Sequence, residues 1–262
     1  MHIIVIDIGN TSTSLGRWEN GVVSQIAAIP TGGAAAAESA LREASALRNV
    51  GAESASLAML ASVVPSENAA WSRLLKNLFN LESHFLTHET PMPVGIDYPV
   101  KTQIGADRLA DAAGAFVRHG APVIVADFGT ALTFDIVNSA GNYAGGIIAP
   151  GIPLMTSYLH EKTAKLPLVD LRDGSGFPAW GDSTANAIKL GARIGYRGMV
   201  REIAAFIRGG IGEKAPLVAT GGYARWALED SGIECLIEPD LTLFGLGAIS
   251  EHNGNFAPPP PA

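Results

Sequence analysis

A chain of 262 residues with 47% apolar residues can form one large domain or two small ones, and either buries a core that needs no disulfide or metal staples. Its formal charge of -7 weighs against a surface that tracks a phosphate backbone, so no nucleic-acid partner is expected and an anionic ligand must be held by local donors. No stretch reaches the roughly 18 uninterrupted apolar residues of a bilayer span, and the start Met1-His2-Ile3-Ile4-Val5-Ile6-Asp7 carries an acid and no basic leader. The reading is a soluble, cytoplasmic chain with no membrane partner. Cys235, the lone cysteine, rules out an internal disulfide or a CxxC site and fits a reducing compartment.

Residues 3–7, 12–18 and 22–29 read as three short strands in a meander, turning at Gly9-Asn10 and Asn20-Gly21. The Ala-rich stretch 34–48 reads as helix and Leu57 to Val64 as a buried strand. Ser66 is expected to cap a helix with Trp71, Leu74, Leu75 and Leu78 on one face. A Pro-broken loop, Pro91 to Pro99, leads to a helix from about Gly105 to His119, stopped by Gly120. The opening pattern then returns as strands at 123–127, 132–137 and 143–148. Val5-Ile6-Asp7-Ile8-Gly9 superimposes on Val125-Ala126-Asp127-Phe128-Gly129 at an offset of 120 residues, which reads as an internal duplication. Helices at 153–165 and 183–208, a strand at 217–220, a helix after Gly222 and a last helix at 241–250 follow. The lobes are placed at 1–118 and 119–256, with a Pro-rich disordered tail at 257–262.

A strand ending in Asp-x-Gly-Asn-Thr suits phosphate. Gly9 permits positive φ and close approach, neighbouring N–H groups point outward, and Asn10, Thr11 and Ser12 add side-chain donors. Asp7 at the strand end is placed to hold, through water, the Mg²⁺ that accompanies ATP. An ordinary hairpin turn is the other reading of one such copy. The second copy, Asp127-Phe128-Gly129-Thr130, adds another acid and hydroxyl. Two such turns facing one polyphosphate, with Val218-Ala219-Thr220-Gly221-Gly222 as a nucleoside-binding turn, resemble the actin, Hsp70 and sugar-kinase superfamily. That resemblance implies an α/β class, a duplicated actin-like (ribonuclease H-like) ATPase fold with a mixed sheet and flanking helices in each lobe.

Gly105-Ala106-Asp107-Arg108 opens a helix with an acid and a guanidinium side by side. Asp107 can accept a hydroxyl proton as general base while Arg108 holds a carboxylate. Alternatively Asp107 only complements the helix N-terminus and Arg108 is a surface partner of Asp111.

Four ordered motifs, Asp7 to Thr11, Gly105 to Arg108, Asp127 to Ala131 and Gly145 to Gly151, together resemble type III pantothenate kinase over nearly the whole chain. The resemblance implies transfer of the γ-phosphoryl of ATP to pantothenate, the first step of coenzyme A synthesis, with Asp107 as base. It implies ATP contacts along Asp7, Ile8, Gly9, Asn10, Thr11, Ser12, Thr13 and Ser14 and at Thr130, Gly221 and Gly222. Tyr98, Gly105, Ala106, Asp107 and Arg108 are implied to contact pantothenate, and Thr184 to reach the substrate of a neighbouring subunit in a homodimer. Asp127 is implied to hold a monovalent cation, K⁺ or NH₄⁺. Leu132 departs from the family, which often carries Thr there.

Two rivals share the fold: a nucleotide-gated ATPase or binding protein, and a transcription accessory factor resembling the kinases. The chain has no room for the inserted or appended domains of the first, and its charge and lack of a basic helix-turn-helix weigh against DNA contact by the second. His84 and His88 sit in a strand-like segment without a third ligand, which argues against a metal site. Trp180 either caps a loop or packs, and Arg193, Arg197, Arg201 and Arg208 form a solvated or dimer-facing stripe.

Overall fold

The computed structural model describes residues 2–32, 37–39, 41–42, 55–171 and 179–254. Most of the expected helix at 34–48 and the tail at 257–262 lie outside the described residues. The chain divides into two compact units: residues up to Ala121 with Ala140–Ala144 and the segment from Asp240 form the first, and Pro122–Ser139 with Gly145–Pro239 the second.

In the first unit, β1 (His2–Ile8), β2 (Ser12–Glu19) and β3 (Val22–Pro30) form an antiparallel meander, and β4 (Ala55–Ser62) and β5 (Ser83–Phe85) add parallel neighbours in the order β3-β2-β1-β4-β5. The β2–β3 turn forms where expected, with Asn20 at φ 50 and Gly21 at φ 78, the paired left-handed residues of a tight hairpin. Helix α1 (Pro65–Phe79) covers one face. It starts on Pro65 rather than on a Ser66 cap, because Pro pre-sets the first helical φ, and it seats Trp71 and Leu75 against Ile6, Ile8 and Leu60. Helix α2 (Ala106–His119) stops at Gly120, whose φ is 75.

The last helix, α6 (Leu241–His252), groups with this unit and not with the second lobe to which the boundary at 118/119 assigns it. Small residues are the reason. A Cβ on Gly245 would lie 1.9 Å from the Ala110 carbonyl oxygen, and one on Gly247 2.1 Å from the Trp18 ring. Glycines at both points let α6 close onto α2 and onto the sheet, where the Trp18 and Phe244 ring centroids sit 5.1 Å apart.

The second unit repeats the plan. Strands β7 (Val123–Phe128), β8 (Ala131–Val137) and β9 (Asn142–Pro150) follow one another, and β10 (Leu217–Thr220) and β11 (Leu236–Ile237) add parallel neighbours to β7. Their order, β9-β8-β7-β10-β11, matches β3-β2-β1-β4-β5 strand for strand, so the duplication seen at Asp7 and Asp127 extends through the whole sheet. Helices α3 (Ile152–Glu161), α4 (Thr184–Ile211) and α5 (Ala224–Leu228) accompany it. Along α4, Ile188, Ala192, Tyr196, Val200 and Ala204 recur every fourth residue and face a core containing Ile124, Ala126, Phe128 and Leu132. The short β6 (Gly95–Ile96), read from sequence as loop, pairs with Asn142 and Tyr143 at the start of β9, residues of the first unit.

Candidate active site

The first turn follows directly from β1. Asp7 lies opposite Ser14 and Ala61 in the sheet, and the strand ends at Ile8, fully buried and anchored by a bond from the Val63 N–H to its carbonyl. Gly9 donates its N–H to the Ser12 carbonyl at 3.1 Å. Contrary to the expectation of positive φ, Gly9 is not among the left-handed residues. Its constraint is space, since a Cβ would stand 3.0 Å from the Ser12 carbonyl oxygen. Asn10, Thr11 and Ser12 are exposed, whereas Thr13 is 1% exposed. The Thr13 hydroxyl meets that of Thr31 at 3.1 Å, and Thr31 donates to the Gly9 carbonyl at 2.6 Å. Thr31, missed in the sequence, is a strut under the turn; only the strand register reveals it.

In the same unit, Gly105 is the N-cap of α2 and carries Asp107 into the first turn. A Cβ on Gly105 would fall 2.4 Å from Asp107 Oδ1, so the glycine makes room for that carboxylate. Asp107 accepts the Arg108 backbone N–H at 2.8 Å, and burial pushes its carboxyl above the ordinary aspartate range against the opposing pull of that bond and of the Arg108 charge. Asp111, expected at the surface, is 1% exposed and accepts the Thr242 hydroxyl at 2.7 Å. The Arg108 guanidinium lies 5.8 Å from the Tyr143 ring centroid, and Tyr143 meets Tyr98 edge-on at 6.0 Å. Tyr143, a fully buried residue with no motif to announce it, thus joins Tyr98 to Arg108, the neighbour of Asp107.

In the second unit, Asp127 lies opposite Thr133 and Thr220. The backbone crowds this turn. A Cβ on Gly221, which has φ +89, would stand 2.3 Å from Asp127 Oδ1, and one on Gly151 2.1 Å from the Thr130 carbonyl oxygen. Both its positive φ and its closeness to Asp127 and the Phe128 backbone require glycine at 221. Leu132 is fully buried in the core, so its departure from the family's Thr leaves the turn's outer surface unchanged.

Thr184 is exposed at the first position of α4, behind a Ser183 cap that accepts the Asn186 N–H at 3.2 Å; it belongs to the second unit and Asp107 to the first. Trp180 is 77% exposed and so does not pack in the described structure. The arginine stripe is partly structural. Arg197 donates to the carbonyls of Ala227 and Glu229, and Arg208 to that of Ala215. Among the described residues no three His, Cys, Asp or Glu side chains gather as a metal cage, and no helix is long and apolar enough to cross a membrane. A Mg²⁺ here would be held through nucleotide phosphates and water, which suits the single carboxylate of Asp7 at a strand end.

The family model described as type III pantothenate kinase matches residues 3–205. Curated relatives of that name include one from Akkermansia muciniphila, 46% identical over 191 residues, covering 72% of this chain and 76% of the relative. Another, from Methylacidiphilum infernorum, is 37% identical over 253 residues, covering 95% of this chain and 88% of the relative. Among solved structures, the activator of the 2-hydroxyisocaproyl-CoA dehydratase from Clostridium difficile with bound ADPNP matches all of both chains, with a TM-score of 0.54 at 13% identity. That likeness shows the fold alone, an actin-like ATPase fold.

Proposed function

The chain belongs to the type III pantothenate kinase family, and from that premise we propose that it transfers the γ-phosphoryl of ATP to the primary hydroxyl of pantothenate, in coenzyme A biosynthesis, with Asp107 as general base. The observation that carries the role of Asp107 is its placement: a carboxyl raised by burial, next to an arginine that can pair with the substrate carboxylate. Tyr98, Gly105, Ala106 and Arg108 hold pantothenate, and Thr184 contacts the substrate of a neighbouring subunit.

The turn from Asp7 to Ser14 contacts the phosphates through Gly9, Asn10, Thr11 and Ser12, while Thr13 and Ile8 serve by holding its backbone. Thr130, Gly221 and Gly222 contact ATP from the second unit, and Asp127 holds K⁺ or NH₄⁺. Asp7 reaches Mg²⁺ through water. When bound, these cations offset the charge that gathers on the transferring phosphoryl group. The protein acts as a cytoplasmic homodimer. Exposed apolar residues support the dimer, with Leu154, Tyr158 and Leu159 on α3 and Ile194 on α4 all at least 40% exposed.

A coupled ADP-release assay with ATP and Mg²⁺, with and without pantothenate and K⁺, tests the reading. Turnover that requires pantothenate and rises with K⁺ is expected. ATP hydrolysis indifferent to pantothenate would return the chain to a nucleotide-gated ATPase.

A further inference from the structure

Asp135 is a carboxylate that the proposed reaction does not use. It stands in β8 with no exposed surface, where burying a charge is costly and a β-branched apolar residue would suit the strand better. Its face of the sheet suggests a use. Along β7 and β8, Ile124, Ala126, Phe128, Leu132 and Phe134 turn to the core of the second unit. By alternation Asp127, Thr133 and Asp135 share the opposite face. On that face Thr133 is the direct partner of Asp127 in the antiparallel pair, and such partners carry their Cβ atoms about 4.5–5.5 Å apart.

Thr220 flanks Asp127 on the other side, in β10, but is only 2% exposed, whereas Asp127 and Thr133 are both half-buried. The row of side chains therefore opens toward Asp127 and Thr133. The Thr133 hydroxyl donates to Asp135 Oδ2 at 3.3 Å. A hydroxyl has one proton and two lone pairs. With the proton turned along its own strand to Asp135, Thr133 does not donate to Asp127 and keeps its lone pairs for a cation beside that carboxylate. Hard cations take oxygen ligands, and one carboxylate with a neutral hydroxyl next to it is a donor set that fits a single positive charge.

We propose that the Thr133 hydroxyl oxygen is a second ligand of the monovalent cation held by Asp127, and that Asp135 is its positioning residue. This rests on the assignment of Asp127 as the cation-holding residue in the proposed reaction. Asp135 touches neither the cation nor a substrate; it acts by accepting the Thr133 proton, which fixes the side on which the threonine oxygen can accept a cation. No covalent bond is made or broken.

Thr133→Val keeps the shape of the side chain and removes the oxygen. Two readouts on the full chain separate a ligand from a structural hydroxyl: the melting temperature with ADP and Mg²⁺ in KCl against NaCl at equal ionic strength, and the KCl concentration giving half-maximal pantothenate-dependent turnover. The wild type is expected to melt higher in KCl than in NaCl, because an ion bound only to the folded chain stabilises it. In Thr133→Val that increment should shrink and half-activation should need about tenfold more KCl, the size of loss usual when a metal site is deprived of one supporting group. Thr133→Ser, which restores the oxygen, should recover both. Asp135→Asn should raise the half-activating KCl concentration in the wild-type background and add nothing in Thr133→Val, since it acts only through that hydroxyl. A Thr133→Val variant that melts lower in both salts but keeps the KCl increment and the half-activating concentration would show a structural hydroxyl and overturn the proposal. An Asp135→Asn effect that persists in full without the hydroxyl would overturn the positioning role. If the wild type responds to KCl in neither measurement, the Asp127 assignment itself fails and takes this proposal with it, an outcome separate from the other two.

Discussion

The two Asp-x-Gly turns occupy equivalent places in equivalent sheets and are held in opposite ways. Around Gly9 the support is hydrogen bonding, from Thr31 to the Gly9 carbonyl at 2.6 Å and from the Gly9 N–H to Ser12 at 3.1 Å, and Asn10, Thr11 and Ser12 are left open to solvent. Around Gly129 the support is backbone pressed on backbone through Gly151 and Gly221, with Tyr196 behind. A duplicated motif has kept its Asp and its Gly and diverged in what surrounds them. The open turn shares its unit with Asp107 and Arg108, and the locked turn carries Asp127. Substitutions in the first unit's site should therefore cost turnover more than stability, and those around the second turn stability first.

Asp107→Asn should show the largest effect. Removing a general base costs about 10²–10⁴ in kcat. Stability should move the other way. Because burial raises the folded-state carboxyl above its unfolded value, the favourable contribution of Asp107 is complete below the unfolded pKa, about 4, and is lost as pH rises through the folded value. At neutral pH the asparagine variant should thus melt at or above the wild-type temperature. In the wild type, kcat should fall at acid pH along a limb lying above the ordinary aspartate range. Near-normal kcat, or a large loss of stability without loss of kcat, would break the division between the units.

Much of this is legible in the sequence. Periodicity and turn residues placed the strands and most helices, and the Asp7 and Asp127 echo announced a duplicated sheet whose strand order matches. What stayed hidden depended on partners distant in sequence. Tyr143 joins Tyr98 to Arg108 only because β6 pairs with β9, and a two-residue strand leaves no periodic signature. Nothing near residue 245 tells that a glycine there matches the Ala110 carbonyl and draws α6 into the first unit. The Gly9 expectation failed for a related reason. A glycine can be required for space or for φ, and sequence does not separate the two.

Gly151→Ala and Gly9→Ala probe the comparison most directly. The new methyl at 151 meets the Thr130 carbonyl oxygen at 2.1 Å with only backbone to give way, so a loss of about 3 kcal/mol or more is expected by urea unfolding. At Gly9 the contact is 3.0 Å, at an ordinary φ, and about 1 kcal/mol is expected. The ATP KM should nevertheless rise in Gly9→Ala, since the methyl stands in the open turn. Equal stability losses at the two sites would mean that the turns are held alike.

Thr31→Val should give the smallest effect and isolates the hydrogen-bonded support. Valine keeps the shape but leaves the Gly9 carbonyl and the Thr13 hydroxyl, now joined through Thr31, without that partner. One such bond is worth about 1 kcal/mol, enough to raise the ATP KM about fivefold if the turn's backbone loosens, with kcat little changed because Asp107 and Arg108 are untouched. Thr31→Ser, which restores the hydroxyl, should return KM to the wild-type value. A valine variant with unchanged KM and lowered stability would place Thr31 in the fold alone and leave the first turn rigid by packing, as the second one is.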